Sequence, residues 1–381
     1  MTTPIPEFFN PQTVGEIWRV PYQQRAEDAI AYRQQHSISP AQISSKKGEQ
    51  PRVCLLAIDV QNTFCVPDFE LFVSGRSGMG AVDDTRRLCE FIYRNLAVIT
   101  EIIPTMDTHS SAQIFHPVFW VNEAGEHPAP MTMIAYEDVA QKKWRVNPDI
   151  ASSLAAGHLA SQHLTSENSG TESANTKNIN ANNISAEDIE AFAHHYAKQL
   201  SDRGKYPLTI WPYHSMLGGI GHALVPAFEE ACFFHNMVRS SPTRFEAKGD
   251  NPLTENYSVL SPEVLTNASG QAIAQKNNRL IQYLLDFDAI IIAGQAKSHC
   301  VAWTVSDLLA EIQGIDSTMT QKLTQKIYLL EDCTSPVVVP GVIDFTDEAD
   351  CLYHDFEKSG MNRVLAVDSI ESWPAFPALK E

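Results

Sequence analysis

Three reactive side chains stand at or just beyond the ends of apolar segments that lie far apart in the chain. Asp59 follows VCLLAI, Lys248 ends RFEAK, and Cys300 follows AIIIAGQAKSH. In an open α/β sheet, ligands and catalytic groups collect at the carboxyl ends of the strands. An acid, an amine and a thiol that meet there would have the chemistry of a cysteine hydrolase.

The segment around Cys300 predicts a strand, a turn and a helix. Residues 289–293 are apolar and precede a glycine, and residues 300–312 have an amphipathic pattern. Cys300 would lie in the first helical turn, where the helix dipole favours the thiolate. Asp59 is the candidate proton acceptor, and the N–H groups of Ala296 and Cys300 could bind an oxyanion. The alternative is a buried structural cysteine, because free cysteines are commonly buried.

A second group of side chains has the chemistry of a metal site. Asp107 and His109 are two residues apart in MDTH, so they share a face if the preceding strand continues. His214 ends WPYH, after the strand-like run YPLTI. One carboxylate and two imidazoles could hold one divalent ion, Zn²⁺, Mn²⁺ or Fe²⁺, with positions left open. Taken singly, each of these side chains could also be an ordinary polar group at a strand end.

Five motifs together give the sequence a family resemblance. IDVQNTF, MDTH, WPYH, AKGDNPLTENYS and GQAKSHCV occur in this order. The chain thereby resembles the nicotinamidases and pyrazinamidases of the isochorismatase-like cysteine hydrolase superfamily, over residues 52–367 apart from an insertion. The resemblance implies a three-layer α/β/α fold with a mainly parallel central sheet.

The resemblance also implies roles for individual residues. Cys300 would be the nucleophile, Asp59 its proton acceptor and Lys248 the third catalytic member. The metal ligands would be Asp107, His109 and His214. Two aromatic residues, Phe64 and Trp211, would flank a planar substrate ring, and the peptide bond between Gln295 and Ala296 would be cis.

The implied reaction is the hydrolysis of a small (hetero)aromatic carboxamide, first of all nicotinamide to nicotinate and ammonia, through a cysteine thioester. Three residues depart from the family pattern: Ser215 after WPYH, and Lys297 and His299 before the nucleophile. Alternatives therefore stay open. They are an amidase for a carbamoyl, ureido or other amide, a vinyl ether hydrolase of the isochorismatase type, and a non-catalytic binding or scaffold protein on the same fold.

The composition and the net charge disfavour some classes of binding partner. The chain has 381 residues, 44% of them hydrophobic, and a formal net charge of −18, which disfavours nucleic acid and anionic membranes as partners. Its seven cysteines contain no CxxC pair, and no apolar run is long enough to cross a bilayer. We expect a cytoplasmic enzyme that binds a small-molecule amide and forms a homo-oligomer.

The chain divides into two parts on composition. Residues 1–51 form a polar N-terminal extension with a helix near residues 23–35, and residues 52–381 form the hydrolase domain. Within the domain, helices are predicted over residues 83–96, 223–237 and 300–312. Residues 165–185 form a polar insertion of the composition that favours disorder. The aromatic segment after MDTH is expected to form a lid or an oligomer contact.

Overall fold

The centre of the molecule is a parallel sheet of six strands. The computed structural model describes residues 2–41, 50–156, 185–203, 206–315 and 317–377. In chain order the strands are β1 (Val53–Ile58), β2 (Glu101–Asp107), β3 (Glu246–Lys248), β4 (Ala289–Gly294), β5 (Ile327–Leu330) and β6 (Asn362–Val364). They lie side by side in the order β3–β2–β1–β4–β5–β6, and every neighbouring pair is parallel. The strand order reverses between β1 and β4, and such a switch point leaves a crevice at the carboxyl ends of the strands.

The described helices precede, connect and follow these strands. They are α1 (Tyr22–Gln35), α2 (Asn62–Cys65), α3 (Gly80–Arg94), α4 (Tyr136–Ala140), α5 (Ala186–Asp202), α6 (Pro226–Arg239), α7 (Asn278–Leu285), α8 (Ala302–Gln313), α9 (Ser317–Thr324) and α10 (Thr346–Lys358). Each of the three helices predicted inside the domain is present, with ends shifted by a few residues. The helix predicted in the N-terminal extension is α1.

Both faces of the sheet are buried, which explains why β1 reads as one continuous apolar run. Its alternate residues Val53, Leu55 and Ala57 belong to one hydrophobic cluster, and Cys54, Leu56 and Ile58 belong to another. The first cluster includes side chains of α3 and α6, and the second includes side chains of α7, α8 and α10. A parallel sheet covered by helices on both faces is a three-layer α/β/α fold, so the predicted fold class is confirmed.

The N-terminal segment packs across the outer surface of α3 and α6. The Phe8 ring makes an edge contact with Phe234, 5.1 Å between centroids, and Tyr32 contacts the same ring at 5.4 Å. The Arg25 guanidinium pairs with the buried Glu230 carboxylate at 2.6 Å. The N-terminal segment therefore packs against the helices that cover one face of the sheet.

The aromatic segment after MDTH builds a third hydrophobic cluster. Phe115, Phe119 and Trp120 are buried there against side chains of α5. From this segment only Met131 lines the cavity described below, so its main part is a small core of its own and not a lid.

The strand predicted before WPYH is very short. Leu208–Thr209 pairs antiparallel with Met133–Ile134, outside the central sheet. Position 214 is therefore brought to the edge of the sheet by a loop. The polar insertion at residues 165–185 lies almost entirely outside the described residues. Among the described residues, no helix combines the length and the apolar character needed to cross a membrane.

Candidate active site

An acid, an amine and a thiol meet at the carboxyl ends of β1, β3 and β4. The Lys248 side chain is 2% exposed, and its Nζ atom lies 2.9 Å from Asp59 Oδ2 and 2.9 Å from Asp107 Oδ1. The ammonium donates hydrogen bonds to Asp107 Oδ1, to the Asn256 carbonyl at 3.0 Å and to Cys300 Sγ at 3.6 Å. A lysine has three N–H hydrogens, so these three bonds use all of them.

Asp59 is held in a special backbone conformation directly after β1. Its φ angle is +49°, in the left-handed region, and its N–H donates to Thr105 Oγ1 at 3.0 Å. The same hydroxyl donates to Asp59 Oδ1. Asp59 Oδ2 faces the Lys248 ammonium at 2.9 Å, and the Asp59 carboxyl also lies within hydrogen-bonding reach of the Cys300 thiol. Asp59 is therefore placed where it could accept the thiol proton.

Cys300 lies in a tight turn between β4 and α8. The turn Lys297–Val301 is a single π-helical turn, and α8 begins at Ala302. The Gln295–Ala296 peptide bond is cis, as the resemblance implies. The N–H groups of His299 and Val301 both donate to the Ala296 carbonyl. Outside the helical ladder, no described residue accepts a hydrogen bond from the N–H of Ala296 or of Cys300.

The end of β4 approaches β1 so closely that only glycine fits there. Gly294 has φ +112°, and a Cβ atom built on it would lie 2.0 Å from the Ile58 carbonyl oxygen. Because Ile58 and Gly294 are paired in the sheet, this close approach brings Asp59 and the Cys300 turn to the same crevice.

Burial shifts the ionisation of all three groups. Burial raises the pKa of the Cys300 thiol well above its ordinary value, and the Lys248 ammonium opposes this effect without cancelling it. Burial likewise raises the pKa of Asp59, again against Lys248. Burial alone would lower the pKa of Lys248, but Asp107 and Asp59 outweigh it and the pKa is raised. Burial therefore opposes the thiolate that the helix dipole favours.

The three residues predicted as metal ligands lie together beside this cluster. One ligand atom from each of Asp107, His109 and His214 falls within 4.8 Å of the others. Asp107 Oδ2 is 2.7 Å from His109 Nε2 and 3.3 Å from His214 Nε2. All three side chains are at most 5% exposed.

The hydrogen bonds of the two histidines fit a bound cation. His109 Nδ1 faces the Gly249 carbonyl at 3.1 Å, and His214 Nδ1 faces the Pro212 carbonyl at 2.8 Å. A carbonyl only accepts, so Nδ1 of each imidazole carries a proton, and in the neutral form required of a metal ligand each ring turns a bare Nε2 toward the Asp107 carboxylate. The Nε2 lone pairs of the two histidines and an oxygen of the Asp107 carboxylate then point toward one another, with no proton between them. Backbone carbonyls that orient the ligating histidines in this way are usual around protein-bound metals.

The charges of Asp59, Asp107 and Lys248 also favour a bound cation. Asp59 and Asp107 both face the buried Lys248 ammonium, and Asp107 raises the pKa of the adjacent His109 imidazole against the effect of burial. Burial opposes ionisation of Asp107, but His109 and Lys248 hold the pKa of that carboxyl well below its ordinary value. Unpaired buried charge is costly, so a divalent cation at the three ligands fits the electrostatics of the site.

A cavity of about 310 Å³ opens beside the thiol. Its walls include Phe64 and Trp211, the two residues predicted to flank a ring, together with Tyr257 and the strand Val338–Val339. Asp107, His214, Lys248, Ala296, His299 and Cys300 line the same space. An apolar cleft with a few converging polar groups is the usual form of a small-molecule site.

The residues that depart from the family pattern have different surroundings. Lys297 points away from the thiol, because its Nζ atom pairs with Asp350 at 2.6 Å and with Glu331 at 3.4 Å. His299 lines the cavity. Ser215 is buried, and its backbone accepts the His109 N–H at 3.0 Å.

Three residues of the site were missed by the sequence analysis. Thr105 orients Asp59, Gln61 bonds to both the N–H and the carbonyl of Asp107, and Glu255 lines the cavity. Burial raises the pKa of the Glu255 carboxyl to about 7. A signal was present for Thr105, because it precedes Asp107 by two residues on one strand and so shares its face.

No protein-family model matches this chain, and no curated protein matches it. Similar solved structures include a nicotinamidase/pyrazinamidase of Acinetobacter baumanii, with 14% identity and a TM-score of 0.44 over 85% of this chain and 99% of that one. The yeast nicotinamidase Pnc1p bound to the inhibitor nicotinaldehyde has 15% identity and a TM-score of 0.45 over 82% and 99%. A pyrazinamidase of Pyrococcus horikoshii in complex with zinc has 14% identity and a TM-score of 0.39 over 83% and 99%. These are proteins that the chain is similar to, and the function proposed below rests on the residues of this chain.

Proposed function

We propose that this protein is a metal-dependent cysteine amidohydrolase of the isochorismatase-like superfamily. Its substrate is a small heteroaromatic carboxamide, with nicotinamide as the first candidate and nicotinate and ammonia as the products. The observation that carries the proposal is the position of Lys248 Nζ, 2.9 Å from Asp59 Oδ2 and 3.6 Å from Cys300 Sγ beside an aromatic cavity. An acid, an amine and a thiol buried together have no evident structural purpose.

The first half of the reaction forms a thioester. Cys300 Sγ attacks the carboxamide carbon while the thiol proton passes to the Asp59 carboxylate, which lies within hydrogen-bonding reach of the thiol. Because burial raises the pKa of both groups, the proton moves during the attack. The N–H groups of Ala296 and Cys300 stabilise the oxyanion. The proton on Asp59 then passes to the nitrogen, the carbon–nitrogen bond breaks and ammonia leaves.

The second half of the reaction regenerates the thiol. Asp59 accepts a proton from a water molecule that attacks the thioester carbonyl, the carbon–sulfur bond breaks, and the proton returns to Cys300 as the acid leaves. Lys248 remains charged throughout and steadies Asp59 and the sulfur as negative charge moves between them. No external reductant or oxidant is needed.

The metal ligands lie where they can orient the substrate. A divalent ion held by Asp107, His109 and His214 would supply a Lewis acid beside the ring or the water. Phe64 packs edge to face against His214, 5.7 Å between centroids, so an aromatic wall adjoins the ligands. The choice among Zn²⁺, Mn²⁺ and Fe²⁺, the homo-oligomer and the cytoplasmic location remain predictions.

Ammonia release tests the proposal. Protein with a measured metal content is supplied with nicotinamide, and Cys300→Ala is compared with Cys351→Ala. Cys351 is a matched control because it is the exposed free cysteine of the described chain. We expect release by the wild type and by Cys351→Ala, and none by Cys300→Ala.

Two results would contradict the proposal. One is normal turnover by Cys300→Ala, which would remove the nucleophile. The other is the absence of turnover by metal-loaded wild-type protein on nicotinamide and on a panel of other aromatic, carbamoyl and ureido amides, which would favour a binding protein.

A further inference from the structure

The Gln295 side chain is buried directly before Ala296, whose N–H is the proposed oxyanion donor. The Gln295 Nε2 atom donates to Asp84 Oδ2 at 2.9 Å, and its Oε1 atom accepts the Ser335 N–H at 3.3 Å. Its backbone N–H donates to the Ile58 carbonyl at 2.8 Å. Gln295 is therefore held by α3, by the loop after β5 and by the end of β1.

The acceptor that fixes the direction of the Gln295 amide is Asp84, whose side chain is 3% exposed. Its Oδ1 atom accepts from Arg87 Nη2 at 2.8 Å, its Oδ2 atom accepts from Gln295, and the Ser335 hydroxyl bonds to the same carboxyl. Burial raises the pKa of Asp84 to about 6 against these three donors, so the carboxyl is ionised at pH 8. A carboxylate only accepts and a backbone N–H only donates, so the Gln295 amide has a single orientation.

Ser335 holds the residue on the other side of Ala296. Its carbonyl accepts the Lys297 N–H at 2.8 Å. A Cβ atom built on Gly80, the first residue of α3, would lie 2.6 Å from Ser335 Oγ, so the missing side chain lets this loop approach Asp84 closely. The residues before and after Ala296 are thus both bonded to the contact between α3 and the loop. Ala296 itself lines the cavity, and its N–H has no acceptor among the described residues.

We infer that Asp84 is a positioning residue for the oxyanion site. Through Gln295, its carboxylate fixes the peptide that carries the Ala296 N–H, so that this N–H faces the cavity before a substrate arrives. Donors that are oriented in advance stabilise an oxyanion without reorganising during the reaction. Asp84 acts through Gln295, because Asp84 is not one of the residues that line the cavity. This inference rests on the proposed function, because it assigns how the same site prepares its oxyanion donor.

Two variants remove the contact in different ways. Asp84→Asn keeps the shape but offers one oxygen and one NH2 group to two donors, so either Arg87 or Gln295 then faces another donor. Gln295→Met keeps the length of the side chain and removes both of its hydrogen bonds. Asp83→Asn is the matched control, because Asp83 pairs with Arg86 at 2.8 Å with the same spacing on α3, but its side chain is 35% exposed.

The split between kcat and KM for nicotinamide is the first readout. An oxyanion donor acts in the transition state, so a misplaced donor lowers kcat and leaves KM unchanged. We expect kcat at pH 8 to fall at least about tenfold in Asp84→Asn and in Gln295→Met. The double variant should be no slower than Gln295→Met, since Asp84 acts through Gln295. Asp83→Asn should keep the wild-type kcat and KM.

Binding of an aldehyde measures the oxyanion site without turnover. Pyridine-3-carbaldehyde has the ring of nicotinamide, and the Cys300 thiol can add to its carbonyl. An Sγ–carbon bond forms, the C=O double bond becomes a single bond, and the thiol proton ends on the oxygen, which then lies where the oxyanion would lie. 3-Methylpyridine has the same ring and no carbonyl. The affinities of both ligands for metal-loaded, full-length protein are measured by calorimetry in the wild type, in the variants and in Cys300→Ala.

We expect Asp84→Asn and Gln295→Met to lower the ratio of aldehyde affinity to methylpyridine affinity about tenfold, and Asp83→Asn to leave it unchanged. The inference is overturned if both variants keep the wild-type ratio and kcat. It is also overturned if both ligands weaken alike, which would indicate a general loosening of the site, or if Cys300→Ala binds the aldehyde as tightly as the wild type does. If Asp84→Asn does not fold, Gln295→Met decides the question.

The proposed function fails separately. Wild-type protein that forms the aldehyde adduct with the expected dependence on Asp84, but releases no ammonia from any amide, would contradict the amidohydrolase and leave the positioning role of Asp84 intact.

Discussion

Replacing Lys248 with methionine should destabilise the protein strongly, and more at high pH than at low pH. Methionine is similar in length and flexible, so it fills the space and removes only the charge and the donors. Asp59 and Asp107 would then be buried without the ammonium that lies 2.9 Å from each.

The magnitude follows from these two contacts. At an effective dielectric constant of about 20, each attraction amounts to about 6 kcal/mol before desolvation is counted. Desolvation of the ammonium offsets much of this sum, and breaking a buried ion pair costs about 3–5 kcal/mol net. We therefore expect a loss of about 4 kcal/mol at pH 8.

The sign of the pH dependence comes from Asp59. Burial already raises its pKa against the effect of Lys248, so without Lys248 the folded variant keeps a proton on Asp59 to higher pH than the unfolded chain does. Stability of the variant then falls as pH rises above about 4, through the raised pKa of Asp59. The deficit should be largest at pH 8 and smaller at pH 5.

The free energy of unfolding is measured in urea at pH 5 and at pH 8. Each measurement is made once with a fixed excess of Zn²⁺ and once with a chelator, so that any effect of metal loss is seen separately. Lys276→Met is the matched control, because Lys276 pairs with Glu311 at 2.6 Å at a surface where the lysine side chain is 43% exposed. Such pairs are worth about 0–1 kcal/mol. If Lys248→Met and Lys276→Met lose equal stability at pH 8, the buried network does not carry the energy assigned to it.

Three further predictions follow from the site and its frame. Asp59→Asn should lower kcat by about 10²- to 10⁴-fold with unchanged metal content, because the proton acceptor is lost; unchanged kcat would exclude Asp59 as the base. His214→Ala should weaken metal binding at least about tenfold, as measured by metal analysis after dialysis, and full occupancy would remove this ligand from the site. Gly294→Ala should cost at least about 3 kcal/mol in urea unfolding, because its Cβ would meet the Ile58 carbonyl, whereas Gly341→Ala, with φ +74° but open space, should cost about 1 kcal/mol. Equal losses in these two glycine variants would refute the close-approach argument.

Local sequence patterns were enough to predict the main strands and helices of this fold. β1 and β4 are buried on both faces, so their apolar runs are uninterrupted, and α3, α6 and α8 each have an apolar face of helical period. Residues that follow such strands must lie at their carboxyl ends. Once β1 and β4 are paired, Asp59 and Cys300 must therefore lie close together.

Other features depend on contacts that a linear pattern does not contain. Lys297 is adjacent in sequence to the turn of the nucleophile, but Asp350, from α10, draws its side chain away. Ser298, which lies 2.8 Å from His299 Nδ1, accepts the N–H of Val337 from a separate part of the chain. The raised pKa of Cys300 depends on how completely the surrounding elements bury it, and the helix start seen in the sequence does not reveal this burial.

The position of the aromatic segment after MDTH also depends on contacts with a distant part of the chain. Its length and its aromatic content predict a lid or an oligomer contact. Its rings are instead covered by α5, which lies beyond the polar insertion, and Phe192 and Tyr196 of that helix complete the cluster. The partner of an apolar segment cannot be read from the segment itself.

The thioester on Cys300 is the central claim, and trapping it is the most direct measurement. Metal-loaded wild-type protein and Cys300→Ala are incubated with nicotinamide and hydroxylamine, and ammonia and the hydroxamate are quantified together. A thioester reacts with hydroxylamine, so the wild type should release ammonia and form nicotinohydroxamate, and Cys300→Ala should form neither. Ammonia released by the wild type without hydroxamate at saturating hydroxylamine, or hydroxamate formed equally by Cys300→Ala, would contradict a covalent mechanism through Cys300.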